Sequence, residues 1–212
     1  MIGWCVNELL VEGDEKHLNY FIRDFKYAGF EALIPVPQEL EKFRYNVYEE
    51  GFDDIKKQLT EKYGTYRKSK WCSDNWGTLE NCYFGGIKEV DKNKKLVFFD
   101  TELSPPDKWL IFASKRFPSL KFTLFYRDDE FWFEGMIKVE KGEVKENIWV
   151  QYTVDAIPDL LKIHGEEKLL ERFKEIAEWY SEFGEERIDV EKVYKEKGFK
   201  GLIEVFFKDY YP

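Results

Sequence analysis

The side chains that could do chemistry in this sequence are concentrated in two short segments rich in tryptophan and asparagine, WCVN near the N-terminus and WCSDNWGT before residue 80. An indole ring can stack on a base, a sugar or a peptide side chain, and an amide can bind the polar edge of the same ligand. These residue types predict a shallow aromatic pocket for a small nucleotide-like ligand. Its candidate ligand-binding residues are Trp4, Asn7, Trp71, Asn75, Trp76 and Thr78.

The second segment also fits a structural turn. Asn75 and Thr78 are residue types that bind backbone groups at turns, and Gly77 tolerates a positive φ angle. Trp76 can bury its ring when its indole N–H finds an acceptor. The sequence leaves both interpretations open, a turn and a pocket.

Groups able to catalyse a reaction or to hold a metal are scarce. The two histidines, His17 and His164, lie far apart, and neither has a neighbour at a metal-ligand spacing. The chain also has no glycine-rich phosphate loop. We therefore predict no cofactor, no metal and no catalytic residue, and we favour a protein that is not an enzyme. A nucleophilic pair of Cys72 or Cys82 with a histidine stays open as an alternative.

The chain is strongly acidic, with a formal net charge of -9 and an isoelectric point near 5.0. Direct binding to nucleic acid is disfavoured because phosphate recognition needs a basic surface. The acidity is concentrated at residues 165–191, where a predicted helix carries glutamates that could meet a basic host protein. The candidate partner-binding residues are Glu171, Glu175, Glu178 and Glu182.

The elements that must position these residues follow the order β-α-β-β-α-β. Apolar alternation and turn residues predict the strands, and a helical spacing of apolar positions predicts the helices. Ser104 is expected to cap the second helix. This order predicts an α+β protein with a ferredoxin-like sheet. The expected strands are 3–11, 81–90, 95–101 and 120–126, with an added strand at 131–139.

Two additions to this sheet are predicted. Residues 30–79 form an insertion after the first helix, and residues 146–212 form a helical, acidic extension docked on a first domain at 1–145. The apolar run Leu202–Phe207 is expected to form a last edge strand, which could pair with a second copy and leaves a homodimer open. Three cysteines without a paired spacing, no secretory signal and no bilayer-length apolar stretch predict a cytoplasmic protein without a membrane span.

Four short motifs occur in a fixed order along the chain: WCVN at 4–7, NWGT at 75–78, TELSPP at 101–106 and FP at 117–118. In this order they resemble the motifs of the YubB-like family of phage and plasmid proteins, over roughly residues 2–140. The resemblance implies a ferredoxin-like fold and a place on a mobile element in a bacterial host cell. It implies no catalytic residues, because the family's activity is uncharacterised.

The function that we expect is that of a non-enzymatic accessory protein of a phage or other mobile element. It would bind a basic host protein through an acidic surface, with a role against host defence, or hold a small nucleotide-like ligand in the aromatic pocket. An enzyme acting on nucleotides or nucleic acid is the alternative from another class. A structural or assembly protein without a small ligand is a third hypothesis.

Overall fold

The computed structural model describes residues 3–43, 51–182 and 188–207, and it confirms the α+β class. The strands are β1 (Trp4–Gly13), β2 (Tyr83–Asp91), β3 (Lys94–Glu102), β4 (Leu120–Asp128), β5 (Glu134–Glu140) and β6 (Glu143–Val150). The helices are α1 (Glu15–Ala28), α2 (Gln38–Lys42), α3 (Phe52–Tyr63), α4 (Lys68–Asn75), α5 (Asp107–Arg116), α6 (Ile157–His164), α7 (Glu166–Glu182) and α8 (Val190–Phe207). Short 3₁₀ turns lie at Gly29–Ala32 and Val154–Ala156.

The chain forms two compact units. The first unit comprises Met1–Asp129 and Ile137–Asn147, and the second comprises Glu130–Met136 and Ile148–Pro212. The predicted division at residue 145 stays a prediction.

The strands form one six-stranded sheet in the order β2-β3-β1-β4-β5-β6. β1 pairs antiparallel with both β3 and β4, and β2 pairs antiparallel with β3. The first strand of the chain is therefore flanked on both sides, whereas β2 lies at an edge. The strand β6 was not anticipated from the sequence.

Helix α1 covers one face of the first unit's sheet. Its buried residues are Leu18, Phe21, Ile22 and Phe25, a helical spacing that gives one apolar stripe. Asp14 begins the helix, because its side chain accepts a hydrogen bond from the His17 N–H. Phe21 contacts Phe122 of β4 at 5.2 Å between ring centres, and Phe25 contacts Phe99 of β3 at 5.3 Å. The odd-numbered residues of β1, from Cys5 to Val11, face the same core.

The expected edge strand at Leu202–Phe207 is wrong, because this run belongs to helix α8. Its buried residues Phe199, Leu202, Ile203, Phe206 and Phe207 follow a helical spacing. A short apolar run has no alternation that separates a strand from a buried helix. The homodimer that this strand would have formed loses its structural basis.

Candidate functional site

Buried side chains and hydrogen bonds of the NWGT motif connect the segment before β2 to the core of the first unit. Trp76 is fully buried, and its indole N–H donates to the carbonyl oxygen of Ile34 at 3.0 Å. Thr78 is also fully buried, and its hydroxyl donates to the carbonyl oxygen of Glu102 at 2.8 Å. These contacts leave the ring and the hydroxyl no surface for a ligand.

Hydrogen bonds connect WCVN to TELSPP and TELSPP to NWGT. Asn7 of WCVN is fully buried, and its amide nitrogen donates to the Cys5 carbonyl at 2.7 Å and to Thr101 Oγ1 at 2.9 Å. Thr101 in turn donates to the carbonyl of Ser104 at 2.8 Å, and Ser104 donates to the carbonyl of Gly77 at 2.7 Å. Ser104 was expected to cap α5, which is wrong, because that helix begins at Asp107. The motif residues thus join three chain segments.

The remaining predicted pocket residues also have protein partners. Asn75 donates to the carbonyl of Trp71 at 2.8 Å, and Trp71 lies edge-on to Trp76 with ring centres 5.8 Å apart. Trp4 instead packs edge-on against Tyr83 at 4.9 Å, on the sheet face opposite to the core that contains Asn7. The three indoles therefore do not line one pocket, and the geometry favours the structural interpretation. A ligand-binding role for these residues stays a prediction.

The four candidate glutamates of α7 are all exposed. Two of them have ion-pair partners on the same helix: Glu171 lies 2.9 Å from Lys174, and Glu175 pairs with Arg172. Within the described ranges, Glu178 and Glu182 form no ion pair. The charge that α7 can offer to a partner is therefore smaller than the sequence indicates.

The thiols are poorly suited to nucleophilic catalysis in this structure. Burial raises the pKa of Cys5, Cys72 and Cys82 to about 12 in each case. A thiolate is the reactive form of cysteine, so these side chains stay protonated near neutral pH. In the described part of the chain, no three His, Cys, Asp or Glu residues are grouped so that they could hold a metal ion.

A buried charged cluster in the second unit was missed by the sequence reasoning. Glu134 is 1% exposed. One of its carboxylate oxygens lies 2.7 Å from His164 Nε2, and the other lies 3.7 Å from Arg172 Nε. The sequence signal was a single acid inside the aromatic and apolar run FWFEGMI. Among the described residues, Glu134 Oε2 and Arg172 Nε are buried without a hydrogen-bond partner, so the cluster only partly satisfies its polar atoms.

The face of the first unit's sheet opposite to α1 carries a row of aligned residues from four strands. Strand pairing aligns Glu8 of β1 with Phe98 of β3 on one side and Phe125 of β4 on the other. Gly86 of β2 pairs with Phe98 and extends the row to the sheet edge. We call the row Gly86, Phe98, Glu8 and Phe125 the open row.

The middle of the open row is accessible. Glu8 is exposed although it lies on the central strand, and Phe98 and Phe125 are partly exposed. Glu8 forms no ion pair among the described residues. A carboxylate between two phenyl rings is a favourable setting for a cation, because the rings displace water while their faces attract positive charge.

The edge of the open row contains a space. A Cβ atom on Gly86 would meet no other atom within 4 Å, and the residue does not have a positive φ angle. Tyr83 lies on one side of this space along β2, and the exposed Lys88 lies on the other. We call this space, with Phe98 beside it, the edge notch.

A second row on the same face lies next to the open row. Val6 of β1 is flanked by Asp100 of β3 and Arg127 of β4. Burial raises the pKa of the Asp100 carboxyl above its ordinary value, and the positive charge of Arg127 opposes that rise. The second row therefore carries an acid and a base, whereas the middle of the open row carries an acid alone.

Comparison with known proteins assigns no family. No family model matches the chain, and no curated protein matches it. A match among solved structures is the crystal structure of protein api92 from Yersinia pseudotuberculosis, of the DUF1281 family, at a TM-score of 0.43 and 10% sequence identity. The match covers 73% of this chain and 99% of that one. No helix in the described ranges combines the length and the apolar character needed to cross a bilayer.

Proposed function

We propose that this protein is a non-enzymatic binding protein that recognises a basic segment of a partner protein on the open row. The observation that carries the proposal is the exposed carboxylate of Glu8 between Phe98 and Phe125. A positively charged side chain that reaches Glu8 would gain an ion pair and contact with aromatic rings at once. Such a combination is typical of the few residues that dominate a protein interface.

Long-range charge supports a basic partner. The chain has a formal net charge of -9, which attracts a basic protein and repels nucleic acid. Aromatic residues on a sheet face can also stack nucleotide bases. Here a carboxylate occupies the centre of the row, where it would oppose a phosphate backbone, so we favour a protein segment.

The finer fold and the biological setting belong to the same proposal. A ferredoxin-like first unit is supported by the strand order β2-β3-β1-β4 with antiparallel pairing, in which helices α1 and α5 connect strands. A role as an accessory protein of a phage or other mobile element, acting on a host protein in the bacterial cytoplasm, is supported by the four motifs WCVN, NWGT, TELSPP and FP.

Binding to short synthetic peptides of graded net charge tests this function. The full chain is measured against immobilised basic, neutral and acidic peptides that share the same two leucines. We expect retention to rise with positive charge and to fall about tenfold for Glu8→Gln, because the variant loses the charge of one ion pair. Raising the salt concentration should weaken the retention of the basic peptides.

The matched control neutralises the other candidate surface, with Glu178→Gln and Glu182→Gln combined on α7. This variant should retain the peptides as the natural chain does. If it loses binding while Glu8→Gln keeps it, the partner surface is α7 and not the open row. Equal retention of acidic and basic peptides would contradict a basic partner.

A further inference from the structure

We infer that the edge notch and the open row together form a slot for one arginine side chain of the partner, an inference that rests on the proposed function. The partner backbone would lie outside the edge strand β2. The aliphatic part of the arginine would cross Gly86, its guanidinium would lie on Phe98, and its N–H groups would donate to the carboxylate of Glu8. These three residues align in one row across three neighbouring strands.

The space above Gly86 makes this path available. Any side chain at Gly86 would lie beside Phe98 on the same face, because the two residues are paired; the strand is irregular just before this pair, at Gly85. The sequence instead has two glycines here: a Cβ on Gly85 would lie 3.6 Å from the Phe98 Cβ, and nothing lies within 4 Å of where a Cβ of Gly86 would be. Glu8 is two strand spacings away from Gly86, about 9.6 Å. A long side chain is needed to bridge that distance.

The chemistry of the slot selects arginine over lysine. A guanidinium is flat, so it can stack on the ring of Phe98, and its fork of N–H donors matches the two oxygens of Glu8. An ammonium is compact and strongly hydrated, and it loses more solvation beside a phenyl ring. Phe125 lies on the far side of Glu8 and offers a second ring surface to the bound cation.

The other charged groups around the slot act in opposite directions. Asp100 lies diagonally from Gly86, opposite Tyr83, and adds negative charge, which Arg127 on the same face partly offsets. Lys88 is exposed on β2 beside the notch and repels an incoming cation. Removing the charge of Lys88 should therefore strengthen arginine binding, in contrast to removing that of Glu8.

Three capped pentapeptides that differ only at the central residue test the slot: arginine, lysine or citrulline between two leucines. Citrulline keeps the shape of arginine without its charge. Each peptide is titrated into the ¹⁵N-labelled full chain while the amide signals of Gly86, Phe98 and Glu8 are followed. We expect saturable shifts with arginine at an affinity about tenfold above that of lysine, and none with citrulline.

Variants of β2 separate the slot from a general effect on the strand. Gly86→Val fills the notch with a residue suited to strands and should abolish the arginine-dependent shifts. Ile87→Ala alters the opposite face of the same strand and should leave them unchanged. Lys88→Gln should raise the affinity about twofold to threefold, as expected for removing one exposed charge. Unfolding midpoints establish that each variant is folded.

The outcomes separate the slot from the proposed function. If Glu8→Gln weakens binding of basic peptides about tenfold while Gly86→Val leaves it intact, the slot is wrong and the proposed function stands. Equal shifts with arginine and citrulline would also overturn the slot. If no peptide binds and single-stranded oligothymidylate shifts the same amides, the partner is a nucleic acid, and both proposals fail.

Discussion

At the scale of single residues, the polar groups of the motifs find partners inside the first unit. Asn7 and Thr101 are separated by 94 positions along the chain, yet their side chains are hydrogen-bonded within the core. Each buried donor that lost its acceptor would cost about 1–3 kcal/mol. Asn7, Thr101 and Ser104 therefore specify how β1, β3 and the segment before α5 meet.

Substitution of Trp76 measures how much the NWGT motif contributes to the stability of the fold. Trp76→Ala should lower the free energy of unfolding by about 3–5 kcal/mol, because it removes a fully buried ring. Trp76→Phe should cost less, about 1–3 kcal/mol, since the carbonyl of Ile34 loses its donor. Urea unfolding of the full chain measures both values.

Tyr27→Ala is the control for this measurement, because Tyr27 is 93% exposed in the same unit. The free energy of unfolding of this variant should stay within about 0.5 kcal/mol of that of the natural chain. A Trp76→Ala protein as stable as the natural chain would contradict the structural role and return Trp76 to the list of ligand-binding candidates.

At the scale of elements, glycine conformation determines where α8 bends. Gly198 has φ 63° and ψ -162° inside the span of α8, so the regular helix is interrupted there. Residues before and after it keep helical geometry, which is why the apolar run Leu202–Phe207 can bury a helical face. A residue with a Cβ would be strained at this φ angle.

Gly198 and Gly86 both have space for a Cβ atom, so comparing alanine substitutions at the two positions measures the cost of the positive φ angle at Gly198. Gly198→Ala should destabilise the second unit by about 1–2 kcal/mol, because a Cβ would find space there and only the positive φ opposes it. Gly86→Ala also meets no atom within 4 Å and has no positive φ, so it should be neutral or stabilise the first unit slightly.

Urea unfolding, monitored through amide signals from each unit, gives the change in the free energy of unfolding for both variants. If both variants lost the same stability, the backbone conformation at Gly198 would not be the cause. A loss at Gly86 alone would show that β2 needs a flexible residue at that position for another reason.

At the scale of the whole molecule, the two units differ in the content of their cores. The first unit packs rings from α1, α5 and the strands, such as Phe21, Phe25 and Trp109. The second unit buries Glu134 against His164 and Arg172 among its aromatic residues. Removing one member of a buried ionic cluster leaves an uncompensated charge, whereas removing all members does not.

A comparison of single and triple substitutions tests the role of this cluster. Glu134→Ala should lower the stability of the second unit by about 3–5 kcal/mol, because His164 loses its hydrogen-bond partner and Arg172 loses the nearby carboxylate. The triple variant Glu134→Leu, His164→Leu and Arg172→Leu should lower the stability of the second unit less than Glu134→Ala does. Hydrogen exchange of the α6 and α7 amides measures both, and a triple variant less stable than Glu134→Ala would contradict the prediction.

The sequence by itself determined the class of the fold and the positions of most elements. The stripe on α1, the alternation along β4 and the hairpin of β2 and β3 depend on local periodicity, which residue types express directly. The same reasoning failed at Leu202–Phe207, where the apolar run is too short to distinguish a strand from a helix. It also missed β6, where only the last two inward positions, Ile148 and Val150, are buried.

Only the tertiary structure decided which side chains share a surface. Gly86, Phe98, Glu8 and Phe125 come from four strands, and their alignment depends on the register of pairing between distant segments. A shift of one residue would turn each strand's side chains to the other face, and no local pattern near Glu8 specifies its partners. Of the candidate tryptophans, Trp71 and Trp76 are buried and Trp4 packs on the opposite sheet face, and no local pattern predicts this because burial of a ring is a property of the packed molecule.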